Sequence, residues 1–290
     1  MADRPTGTPG WTVSPWPGTG PAAADDGDDW HDQRVTPAQQ VTPQAQLERR
    51  LAWQSPVVGV VLGAALAAAA GHSALVLGLV VLGQALLVSG LHRGLHVTAP
   101  VSGMLVAGVL AVVADVAVWQ ASRPHTLEPI VTVIGVGFLL GVVQQLVRRD
   151  DRAGLVPSLA ATVSVSALAS FTASWLVIAL GAEHGALRTA GIALALASLA
   201  RLVRSDALAP WAALVAGPVA AVLARSLLGS PTLELGRTAL LGLAVGLATG
   251  LADALVRRGR TSLRARWWTT GALAFAAAAP LGYVALYLTS

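Results

Sequence analysis

VPSLAATVSVSALASFTASWLVIALG, residues 156–181, runs for 26 residues without an ionisable side chain, between Arg152 and Glu183. As a helix it is about 39 Å long, and a hydrocarbon core is about 30 Å thick. The stretch therefore predicts one membrane-spanning helix. Working outward, the chain from Trp53 to its end is a series of similar apolar runs. They fall at 54–71, 73–91, 100–120, 129–147, 156–181, 185–203, 207–228, 234–256 and 267–288. This reads as an all-α, polytopic transmembrane bundle of nine spans. The first two are joined by the very tight turn Gly71-His72-Ser73, so one re-entrant hairpin is the alternative there.

Composition agrees. Hydrophobic residues make up 54% and charged residues only 12%, against about 25% charged in soluble domains. Mean hydropathy is +0.65. A soluble domain would need more charge to cover its surface. Cysteine, lysine and asparagine are absent, and all 19 basic residues are arginine. No thiolate can serve as nucleophile or metal ligand.

The charge divides at residue 52. Residues 1–52 hold four Arg against seven acidic residues, including Asp25, Asp26, Asp28, Asp29 and Asp32. This Pro- and Gly-rich segment has too few aliphatic residues to offset its ordering entropy and reads as a disordered tail. Trp11, Trp16 and Trp30 offer it a way to dock on a protein partner. Residues 44–54 read as a short lead-in helix. Residues 53–290 hold 15 Arg against eight acidic residues.

The arginines set the topology. Arg49, Arg50, Arg93, Arg148, Arg149, Arg152, Arg201, Arg204, Arg257, Arg258, Arg260, Arg264 and Arg266 fall in loops on the side of the tail. Only Arg123, Arg188, Arg225 and Arg237 fall on the other. The positive-inside rule then places the amino terminus in the cytoplasm and the carboxyl terminus outside the plasma membrane. The pI near 10.8 is thus a topology signal, and the expected partner is the lipid bilayer, with no nucleic acid.

A period underlies the spans. Arg93, Arg148, Arg204 and Arg257 close similar sequences at intervals of 55, 56 and 53 residues. His125-Thr126-Leu127-Glu128 also resembles Pro231-Thr232-Leu233-Glu234. Four helical-hairpin repeats plus one extra span would produce this. So would evenly sized hairpins with arginine on one side.

Small residues indicate how the spans pack. Gly242, Gly246 and Gly250 recur every fourth residue, as do Gly59, Gly63 and Ala67. Such faces let helix backbones approach closely in lipid. Ser158, Thr162, Ser166, Ser170 and Ser174 form a hydroxyl stripe along residues 156–181. It reads as packing, each hydroxyl bonded to its own helix, or as a polar pathway.

Ionisable groups within spans are costly and mark candidate sites. Asp115 and Arg225 lie at similar depth, and if their helix faces meet the pair compensates itself. With Glu128, Glu183, Arg188, His125 and His184 they would line an outer polar cavity. His72, His125, His184 and Glu183 could together ligate a metal, but polar, wet turns are the simpler account of them, and no metal or cofactor is expected. On the tail side, His92, Arg93, His96, Arg148, Arg204 and Arg257 are candidates for a lipid headgroup. Asp253 precedes Arg257 by one turn, a favourable local pair. Gln84 and Gln144 suit helix-to-helix hydrogen bonds.

No GxxxxGK[ST], HExxH or GxSxG sequence occurs, which removes the chemistry those motifs carry. Three functional classes remain: a non-catalytic membrane component, which the thin polar content favours; a transporter; and a membrane enzyme acting on lipid-linked substrates.

Overall fold

The computed structural model describes residues 54–94, 101–121, 126–147, 155–181, 184–202, 208–228, 233–258 and 263–287. The tail, the lead-in helix, and His96, His125, Arg148, Glu183 and Arg204 lie outside them, as do the side chains of Arg93 and Gln145. All described residues belong to one compact unit.

Among the described residues ten helices follow one another: α1 (Gln54–Ala69), α2 (Ser73–Gly94), α3 (Val101–Gln120), α4 (Glu128–Val147), α5 (Leu155–Phe171), α6 (Ser174–Leu180), α7 (His184–Ala200), α8 (Ala209–Leu228), α9 (Leu235–Arg258) and α10 (Leu263–Tyr287). No strand occurs among the described residues. Among the described residues six apolar segments are long enough to cross a membrane: α2, α3, α5 with α6, α8, α9 and α10. The apolar runs of α1, α4 and α7 are shorter.

The helices are apolar on both faces, which suits lipid and would not suit water. Leu105, Val109, Val112, Val113 and Val116 of α3 are exposed, as are Leu240, Leu243, Leu247, Leu251 and Leu255 of α9. Inward, Leu62, Leu66, Val76, Leu87, Leu194, Leu241 and Phe275 form one buried core. Leu110, Ala114, Val118, Ile130, Leu176 and Val177 form a second. The larger core lies among α1, α2, α7, α9 and α10. The smaller lies among α3, α4 and the α5–α6 segment.

Glycine seams bring the backbones together. A Cβ on Gly63 would stand 2.6 Å from the Gly191 carbonyl oxygen, so α1 meets α7 at backbone contact. A Cβ on Gly217 would collide with the carbonyl of Gly242, so α8 meets α9 in the same way. Pro218 cannot donate to the carbonyl of Leu214 within α8. That carbonyl instead lies against Gly246 of α9, 3.0 Å from where a Cβ would be. Gly242 and Gly246 of α9 thus face Gly217, Pro218 and Leu214 of α8, and Gly250 faces Pro210. Gly71, at φ 102°, reverses the chain between α1 and α2, and His72 N–H bonds the Ala69 carbonyl there. Two separate helices result.

Two expectations are altered. The segment 156–181 is not one helix, because it breaks at Thr172 and Ala173. Nor do the hairpins set off by the arginine period pack alike. α8 and α9 lie along each other, whereas α1 leaves α2 to pack against α7 and α10. The period marks loop spacing rather than a repeated packing unit. A local rhyme survives: Thr132 Oγ1 donates to the Glu128 carbonyl and Thr238 Oγ1 to that of Glu234, each at 2.9 Å.

Candidate functional site

Two buried carboxylates organise the polar interior, and their surroundings are opposite in kind. The first is Asp115, fourteen residues into α3 and 2% exposed. Gln84 Nε2, at the middle of α2, donates to its Oδ1 at 3.0 Å. The same nitrogen donates to the Ala169 carbonyl at 3.2 Å. That carbonyl lies where the regular i to i+4 ladder of the helix gives way to a tighter turn. In an unbroken α-helix Ala173 N–H would bond Ala169. Here it bonds Ser170 at 3.1 Å, and Thr172 N–H takes Ala169 at 3.2 Å.

Hydroxyls account for the break. Ser170, Thr172 and Ser174 surround it, and such side chains compete for backbone groups and weaken a helix interior. Thr172 Oγ1 donates back to Leu168 at 3.1 Å. Beyond the break Trp175 is fully buried against Phe275, and its Nε1 donates to the Phe275 carbonyl at 3.0 Å. The tryptophan fixes α6 onto α10. Nothing in the sequence marks Trp175, which lies inside an uncharged apolar run with no motif around it.

Three buried oxygens at this place have no hydrogen-bond partner: Asp115 Oδ2, Ser170 Oγ and Ser174 Oγ. The hydroxyl stripe thus divides. Thr162 Oγ1 donates to Ser158 at 2.9 Å and Ser166 Oγ to Thr162 at 2.7 Å, as packing predicts. Ser170 and Ser174 are fully buried and do not follow that pattern.

The second carboxylate is Asp253 of α9, also 2% exposed. Arg201, just past the end of α7 and 6% exposed, places Nη2 2.5 Å from Asp253 Oδ1. Arg257 places Nε 2.7 Å from Oδ2. The local pair with Arg257 is present, and Arg201 joins it from another helix. One carboxylate therefore serves two guanidinium groups, and the ends of α7 and α9 are tied together.

The helix faces of Asp115 and Arg225 do not meet. Asp115 is held by Gln84, whereas Arg225 Nε donates to the Leu233 carbonyl at 2.7 Å. The physical reason is packing: α3 lies against α2, α4, α5 and α6, while α8 lies against α7 and α9. Arg225 fastens the end of α8 to the start of α9. Glu128, His184 and Arg188 are exposed, and so is His92 at the arginine-rich end of α2. No group of three or more His, Asp or Glu suited to a metal occurs among the described residues. Gln84 makes the helix-to-helix bonds expected of it, while both amide atoms of Gln144 are buried and unpartnered.

No protein-family description, curated protein or solved structure matches this chain.

Proposed function

We propose that the chain is a plasma-membrane protein whose nine apolar segments all cross the bilayer, with the amino terminus in the cytoplasm and the carboxyl terminus outside. In this reading it is a non-catalytic membrane component that offers its acidic, Trp-bearing tail to a protein partner. One observation carries it: several side chains with catalytic potential are spent on holding helices. Arg225 ties α8 to α9, Asp253 binds Arg201 and Arg257, and Thr162 and Ser166 bond within α5. The arginine asymmetry supports the orientation. Exposed Trp119 and Trp211 at the ends of α3 and α8 suit interfacial belts.

The absence of cysteine gives a clean topology test, since one introduced thiol is the only thiol. In intact cells an impermeant thiol reagent reaches S122C and S230C, and reaches S205C and S262C only after permeabilisation. The reverse pattern, or labelling of all four in intact cells, contradicts the orientation.

Transport is the second reading, and Asp115 beside a broken helix is the observation that favours it. Discontinuous helices line ion and substrate sites in many transporters. A deletion strain separates the two. The component reading predicts unchanged solute uptake and failed complementation by a chain lacking residues 1–52. The transport reading predicts lost uptake, restored by the wild-type chain and not by D115N.

A further inference from the structure

We propose that Asp115, Gln84 and the Ala169 carbonyl at the broken end of α5 form a buried proton-binding site, in which the Asp115 carboxyl takes up and releases one proton. This goes beyond the membrane-component reading and does not depend on it.

The geometry begins with what surrounds the carboxyl. α3 packs against α2, α4, α5 and α6. On α3 Asp115 is the only ionisable residue, and α5 and α6 have none. α4 has Glu128, exposed at its first residue, and α2 has His92, exposed, and Arg93, both at its far end from Ser73. Tyr283 of α10 borders the same apolar core. Thus none of the elements packed against α3 brings a cation to Asp115 among the described residues. The neutral amide of Gln84 is its hydrogen-bond donor. An ionised carboxylate is very costly in such a place, and a neutral one is not.

The donor set favours a proton over a metal cation. Gln84 turns its NH₂ group toward both Asp115 Oδ1 and the Ala169 carbonyl. It presents a donor where a metal ion would need an acceptor. Asp115 Oδ2 is left with no partner. A proton bonding to Oδ2 converts COO⁻ to neutral COOH without disturbing the Gln84 bond to Oδ1. The break supplies two more buried oxygens without partners, Ser170 Oγ and Ser174 Oγ. Hydroxyls both donate and accept, so they can relay the proton along the α5–α6 segment. Helix discontinuities of this kind occur in membranes where the backbone is buried in protein or lines a cavity.

The test is infrared difference spectroscopy on the full chain reconstituted in phosphatidylcholine vesicles, titrated from acidic to alkaline pH. The wild-type chain shows the carbonyl stretch of one protonated carboxyl, lost as the pH rises and absent at every pH from D115N. Q84L keeps the carboxyl and removes its donor, so its band shifts in frequency. That variant carries the test if D115N does not fold. A band unchanged in Q84L overturns the proposal, as does a wild-type band that ignores pH. Loss of the band on adding sodium chloride at constant pH and ionic strength overturns it in favour of a metal-cation site.

Discussion

Asp115 and Asp253 are the same side chain, equally buried, and held in opposite ways. Asp253 is bound by two guanidinium groups, Arg201 from α7 and Arg257 from its own helix. Asp115 is bound by one amide, from Gln84. The difference sets what each carboxylate can do. Where charge is matched by charge, removing one partner strands the other, and the group is structural. Where a carboxyl has only a neutral donor and a free oxygen, its charge state can change with little change in its contacts. The contrast also follows depth: Asp253 stands one turn from the arginine-rich end of α9, whereas the partner of Asp115 is at the middle of α2.

The largest effect that would break this comparison lies at Asp253. D253A takes the Asp253 carboxylate away from the buried Arg201, and loss of one partner from a buried pair costs about 3–5 kcal/mol. Denaturation of the purified chain in mixed micelles checks it. Next is the backbone seam. G242L drives a side chain into Gly217 and Pro218 of α8, and overpacking of this kind costs about 1–3 kcal/mol. The same denaturation measurement reads it, and separation of α8 from α9 appears as faster proteolysis of the loop between them. Q84L is smaller. It removes two hydrogen bonds inside the membrane, where each contributes about 0.6 kcal/mol. A loss as large as that of D253A would show that Gln84 is as structural as Arg201. Smallest is R257Q. Arg257 is exposed and Arg201 stays on Asp253, so the expected cost is under about 1 kcal/mol, within the scatter of wild-type melting curves.

Much of the bundle was legible because long uncharged runs have few alternatives to membrane helices. The break in 156–181 was not, because mean hydropathy is blind to it. The signal was Ser170, Thr172 and Ser174 crowded around Phe171, three hydroxyls that compete for backbone within five residues. Gln84 was legible, since an amide at mid-span needs a partner. Its partner was not, because nothing in one sequence indicates that α2 lies against α3 at that depth. Asp115 and Arg225 share a depth but belong to different sides of the bundle, and depth alone does not make a contact. Arg201 could have been paired with Asp253 from their spacing. They are 52 residues apart, close to the arginine period, which sets the ends of α7 and α9 at one level.

The most direct test compares D115N with D253N, both melted in the same lipid. Asparagine at 115 still accepts from Gln84, and at 253 it takes a negative charge away from two arginines. The account predicts that D115N stays within about 1 kcal/mol of the wild-type chain while D253N falls by several-fold more. Equal losses in the two variants would contradict it, because Asp115 would then be a structural anchor of the same kind as Asp253.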